Sequence, residues 1–150
     1  VYRWNSKDGY SIVPNSQGTW PNGIDMIDDD LYVNYRGNGK ITKFSSNTSK
    51  DLILRTYLNG GPDNVIAVRD ELWIGGQNTD LGGLNCIPEE VIQCSMPFFI
   101  IRADRDLNIL EEYNFRDVAY GGASVAYPFE DKIFIGAYKS DRIAIFKRWI

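Results

Sequence analysis

A thirteen-residue pattern occurs three times in this chain. Pro21–Val33, Pro62–Ile74 and Ala123–Ile135 align without a gap. Each copy reads as a short apolar strand, an acidic turn and a strongly β-prone strand: Leu31–Val33, Leu72–Ile74 and Ile133–Ile135. A unit this small cannot bury its apolar face alone, so the repeat restricts the chain to an array of like units stacked on one another. The first and third copies continue in step through a polar turn, at 35–40 and 138–142, into a third strand ending at Phe44 and Phe146. Outer strands are expected at about 51–58 and 107–115.

Four short antiparallel strands per unit point to an all-β fold made of β-propeller blades, which run roughly 40 to 45 residues each. The second copy begins 41 residues after the first, one blade on. The third begins 61 residues after the second, and the surplus falls between Gly76 and Phe98. Upstream, Val1–Trp4 and Tyr10–Val13 read as the two outer strands of a preceding blade. The expected organisation is a single partial propeller. Segment 1–20 gives two outer strands, 21–58 a blade, 62–115 a blade with an insertion at 77–97, and 123–150 a last blade lacking its outer strand. Closed propellers hold four to eight blades, so this is about half of one, and a second polypeptide is expected to complete it. The competing arrangement is a self-sufficient antiparallel sandwich.

Composition narrows the chemistry. The chain contains no histidine, which removes every Ser-His-Asp or Cys-His nucleophile, every HExxH zinc site and every imidazole base. Sixteen Lys and Arg against twenty Asp and Glu leave a formal charge of −4, with no surplus to neutralise phosphates, so nucleic acid is not the expected partner. The longest apolar run is about six residues around Met96–Ile101, against the ~20 that cross a bilayer, so no membrane span is expected. Cys86 and Cys94 are too few for a four-thiolate zinc site. They either close a small disulfide loop, which fits a secreted or periplasmic setting, or remain two thiols.

The residues just before each inner strand ring one mouth of a propeller. The aligned columns place Asn22, then Asp63 with Asn64, then Ser124 on that ring. Amide carbonyls and a carboxylate are hard oxygen donors suited to Ca2+, which takes six to eight of them. The same residue types are also common turn formers.

Here the sequence resembles a known family. Pro21-Asn22-Gly23-Ile24 before one inner strand, Pro62-Asp63-Asn64-Val65 one blade later, and Glu71–Gly75 look like the paraoxonase and arylesterase family among the gluconolactonase-like propellers. Gly122–Ala126 through Lys132–Gly136 to Ile145 resembles that family's final blade. The resemblance covers the C-terminal half of a family member. It implies a six-bladed, calcium-dependent hydrolase of small-molecule lactones or aryl esters. By position, Asn22 matches a calcium ligand and Asp63 and Asn64 the adjacent ligand pair. The remaining ligands, a Glu and another Asn, and the histidines proposed for proton transfer would lie in the other half, so the catalytic base is unknown. The metal would polarise the ester carbonyl and hold the oxyanion. Strictosidine synthases share the segment around Pro62 and differ at the metal ligands. A noncatalytic propeller that binds a ligand or protein partner through the same mouth is the alternative.

By the same geometry the insertion at 77–97, stapled by Cys86 and Cys94, overhangs the mouth as a lid or is an ordinary surface loop. Ser124, Tyr35 and Tyr138 are the expected substrate-binding side chains. Gly37–Lys40 resembles a phosphate loop only superficially, with Ile41 where Ser or Thr is required. Asp28-Asp29-Asp30 reads as a solvated hairpin turn on the far face, and Asn47-Thr48-Ser49 is a glycosylation sequon.

Overall fold

A computed structural model describes residues 1–46, 48–54, 61–78, 92, 95–116 and 118–148. The described chain is all-β, with one short 3-10 turn at Arg36–Asn38. Four antiparallel sheets follow one another along the sequence. The first pairs β1 (Tyr2–Asn5) with β2 (Gly9–Ile12). The second runs β3 (Pro21–Ile27), β4 (Asp30–Tyr35), β5 (Lys40–Ser45) and β6 (Thr48–Ile53). The third runs β7 (Gly61–Val68), β8 (Glu71–Gln77), β9 (Phe98–Asp104) and β10 (Ile109–Phe115). The fourth holds β11 (Ala123–Phe129), β12 (Lys132–Ala137) and β13 (Ala144–Lys147). Within each sheet, neighbours in space are neighbours in sequence, which makes each sheet a meander. Among the described residues no strand pairs across two sheets and no barrel closes.

One expected strand is displaced. The outer strand of the second sheet, expected at about 51–58, occupies Thr48–Ile53. Ser45 pairs directly with Thr48, so the connection is only two residues long. That register puts Asp51 opposite Thr42, and its carboxylate accepts from Thr42 Oγ1 at 2.6 Å and Lys40 Nζ at 2.8 Å. Residues 55–58 of the expected strand lie outside the described residues.

Sheets stack because their strands alternate. On β8, Leu72 and Ile74 face the second sheet and pack with Ile27, Tyr32, Ile41, Val65, Phe99 and Ile101. Trp73, between them, faces the fourth sheet and packs with Phe98, Ile100, Ala126, Ile133 and Ile135. A strand covered on both faces has no polar side to present, which explains its near-continuous apolar run. Each such side chain, fully buried, contributes ~1.5–3 kcal/mol.

The first strand of each full sheet packs on its successor: β3 against β7, and β7 with β8 against β11. Two glycines permit the close approach. A Cβ on Gly23 would stand 2.5 Å from the Asp63 carbonyl oxygen, and one on Gly75 would stand 3.0 Å from the Val125 nitrogen. All three strands also carry a register shift at one repeat column: between Pro21 and Ile24, Pro62 and Val65, and Ala123 and Val125. Such bulges re-aim side chains at a sheet's rim. Among the described residues, no helix is long and apolar enough to cross a membrane.

Candidate functional site

The three bulges lie at the same end of the sheets, and the backbone of Gly23 reaches Asp63–Val65 there. Around Asp63 a polar network joins three sheets. Gln77, buried at the end of β8, donates from Nε2 to Asp63 Oδ2 at 2.7 Å and to the Ala123 carbonyl at 2.7 Å. Its Oε1 accepts from the Arg36 guanidinium, whose Nη1 stands 3.7 Å from Asp63 Oδ2. Asn34 Nδ2 donates to the Asp63 carbonyl at 3.0 Å. Gln77 thereby uses both amide hydrogens and its oxygen, which fixes its orientation. Asn34 is fully buried, and its Oδ1 has no hydrogen-bond partner among the described residues.

The expected site residues divide here. Asn64 lies beside Asp63, with its Nδ2 donating to Asp63 Oδ1 at 3.4 Å. Asn22 sits in the adjoining bulge with its side chain exposed. Ser124 occupies the third bulge and donates to the Gly136 carbonyl at 3.5 Å. Tyr138 is exposed, its ring over Gly122. Tyr35 is a correction: it is buried, with its ring against Gly18 and its hydroxyl donating to the Ser16 carbonyl at 2.8 Å. Strand alternation turns it into the core with Val33 and Phe44, so it is not at the bulged end's surface. Arg36, Gln77 and Asn34 carry no motif in the sequence that marks them for this site.

The donor set does not fit calcium. Asp63 Oδ2 already accepts from Gln77, and the neighbouring Asn64 turns an amide nitrogen toward Oδ1. Arg36 already supplies the positive charge beside the carboxylate. A divalent ion ~5 Å from that guanidinium would be repelled by about 7 kcal/mol at an effective dielectric constant of ~20. Among the described residues no group of three or more His, Cys, Asp or Glu is placed to hold a metal.

The insertion leaves the sheet at this same end: Asn78 N donates to the Pro97 carbonyl at 2.8 Å, closing its base. Cys86 and Cys94, and the lid they were expected to staple, lie outside the described residues. The other end carries ion pairs. Asp28 and Asp29 lie exposed in the turn, as expected; Asp28 also pairs with Arg105 at 2.9 Å, which bridges the second and third sheets, and Asp30 pairs with Lys43 at 2.9 Å within the second. Hydrogen bonds from Ser45 and Lys43 hold the Asp30 carboxyl below its ordinary range. Between the third and fourth sheets, Arg102 bonds Glu71 and Glu111 beside Trp73. Gly37–Lys40 runs from the 3-10 turn at Arg36–Asn38, capped by Gly39 at φ 59°, into β5.

No family model and no curated protein matches the chain. Among solved structures it is similar to a member of the DUF4221 family from Bacteroides vulgatus, at 9% identity and a TM-score of 0.55. The match covers 88% of this chain and 47% of that one, so the chain spans about half the length of that protein. At this identity the likeness bears on fold alone.

Proposed function

We propose that the chain forms consecutive blades of a β-propeller, about half of the ring, and that it is a noncatalytic module binding a ligand or protein partner at the bulged mouth. The blade reading is supported by four meander sheets stacked in series, by the bulge that recurs in one repeat column, and by a structural neighbour about twice as long. The observation that carries the binding role is the Arg36–Gln77–Asp63 network, which sets a cation, an amide and a carboxylate together at the bulged end. A guanidinium on a side chain 21% exposed, beside a carboxylate on one 14% exposed, offers both signs of charge to a polar partner.

Thermal unfolding of the chain in 5 mM calcium and in excess chelator tests this reading. An ion that binds only the folded state at a hundred times its Kd adds about 2.7 kcal/mol. The expected result is one transition temperature in both conditions. A calcium-dependent rise that Asp63→Ala removes would overturn the proposal in favour of a calcium-dependent ester hydrolase.

A further inference from the structure

The repeat compares one surface position in three settings. Ile24 on β3, Val65 on β7 and Ala126 on β11 occupy the same column. Val65 is 1% exposed and Ala126 0%, whereas Ile24 is 52% exposed. The difference is what lies in front. Val65 is covered by β3 of the preceding sheet, and Ala126 by β7 and β8. In front of Ile24 there is a groove of about 650 Å3, lined by Val1, Tyr2, Met26, Leu31 and Phe44. Residues of β1 line it and those of β2 do not, so β1 is the inward strand of the first sheet.

We infer that this groove is the seat of a β-hairpin from another polypeptide segment, aliphatic on the face that meets Ile24 and Met26 and carrying a glycine where it crosses Asn22–Ile24. The inference rests on the blade reading above and adds the identity of the occupant. Two features fix it. The second and third sheets have four strands and the first has two, so the vacant place is two strands wide. At both existing junctions, moreover, a glycine of the preceding inner hairpin lies against the bulge of the next: Gly23 on Asp63–Val65, and Gly75 on Ser124–Val125. The bulge at Asn22–Ile24 presents the same surface and makes the same demand. The occupant needs no carboxylate at the column of Asp25. Asp25 Oδ2 accepts from Ala67 N at 2.7 Å across the sheets, whereas the equivalent N–H on β3, that of Met26, is already taken by Asp25 Oδ1 at 2.8 Å.

The probe is a backbone-cyclised peptide copying residues 61–77, the hairpin that carries Gly75, titrated into the full chain while the Ile24 and Met26 methyl resonances are followed. Saturable shifts at both residues are expected. They should be weaker by about tenfold or more for the Gly75→Val peptide, which overpacks the junction, and absent in the Ile24→Glu chain. Equal binding by both peptides would overturn the glycine-bearing occupant and leave blade stacking standing. A homodimer in sedimentation that Ile24→Glu dissolves would replace the hairpin with a second copy. A monomer that takes up neither the peptide nor a hydrophobic dye at this face would overturn the stacking itself.

Discussion

Gln77 is the residue on which the bulged end turns. Its side chain reaches the second, third and fourth sheets, through Arg36, Asp63 and the Ala123 carbonyl. Truncation leaves a carboxylate oxygen and a backbone carbonyl without their donor, at a cost of ~1–3 kcal/mol for each group so stranded. Gln77→Ala is therefore expected to lower the unfolding free energy by about 3 kcal/mol, read from urea melts. A loss under about 0.5 kcal/mol, the usual range of a surface substitution, would show that the network carries no load. Asp63 and Asn64 stand out in the sequence because turn formers occupy aligned columns before aligned strands. Gln77 was legible in principle as well, since Arg36, Gln77 and Tyr138 share one column just beyond the second strand. That column changes from guanidinium to amide to phenol, so hydropathy and charge gave it no common signal. Tyr35 misled because strand periodicity shows that neighbours face opposite ways, not which way is inward.

At the scale of the strand, the three repeat copies fixed which segments pair, because apolar alternation and turn chemistry agreed there. Boundaries went astray where a hairpin was shorter than its residues advertised, as at β6, whose start follows the Ser45–Thr48 pairing. Ion pairs between strands were invisible in the sequence, since they depend on register. Glu71 on β8 is an example: bonds from Arg102 across to β9 hold its carboxyl below the ordinary glutamate value of 4.5. A carboxylate depressed in the folded state contributes stability above its unfolded pKa and loses it as pH falls through the folded one. Stability is thus expected to decline as acid is added below about pH 4.5. Glu71→Gln should flatten that decline while costing stability at pH 7. Urea midpoints measured from pH 7 to pH 3 check this, and an unchanged acid limb in the variant would contradict it.

For the whole molecule, the repeat disclosed the series of sheets but not what meets its two ends, because covering depends on surfaces beyond any one unit. Ile24 and Met26 lie bare at one end, and Tyr127, Phe129, Ile143 and Ile145 at the other. Sheets joined by side-chain cores and a few side-chain hydrogen bonds, with no strand pairing between them among the described residues, behave as a one-dimensional array, each held by its nearest neighbours. Such a molecule has no single moment of opening. It should come apart by fraying inward, with a hierarchy of local stabilities that native-state hydrogen exchange resolves. The amides of β8, with a neighbour on each side, are expected to exchange last, and those of β1 and β13 first by orders of magnitude. One common rate for all strands would show instead that the array melts as a block. If the gradient holds, anything that caps either end protects mainly the sheet it touches. A partner's grip would then be recorded as a graded slowing of exchange, strongest at the point of contact and fading one sheet at a time.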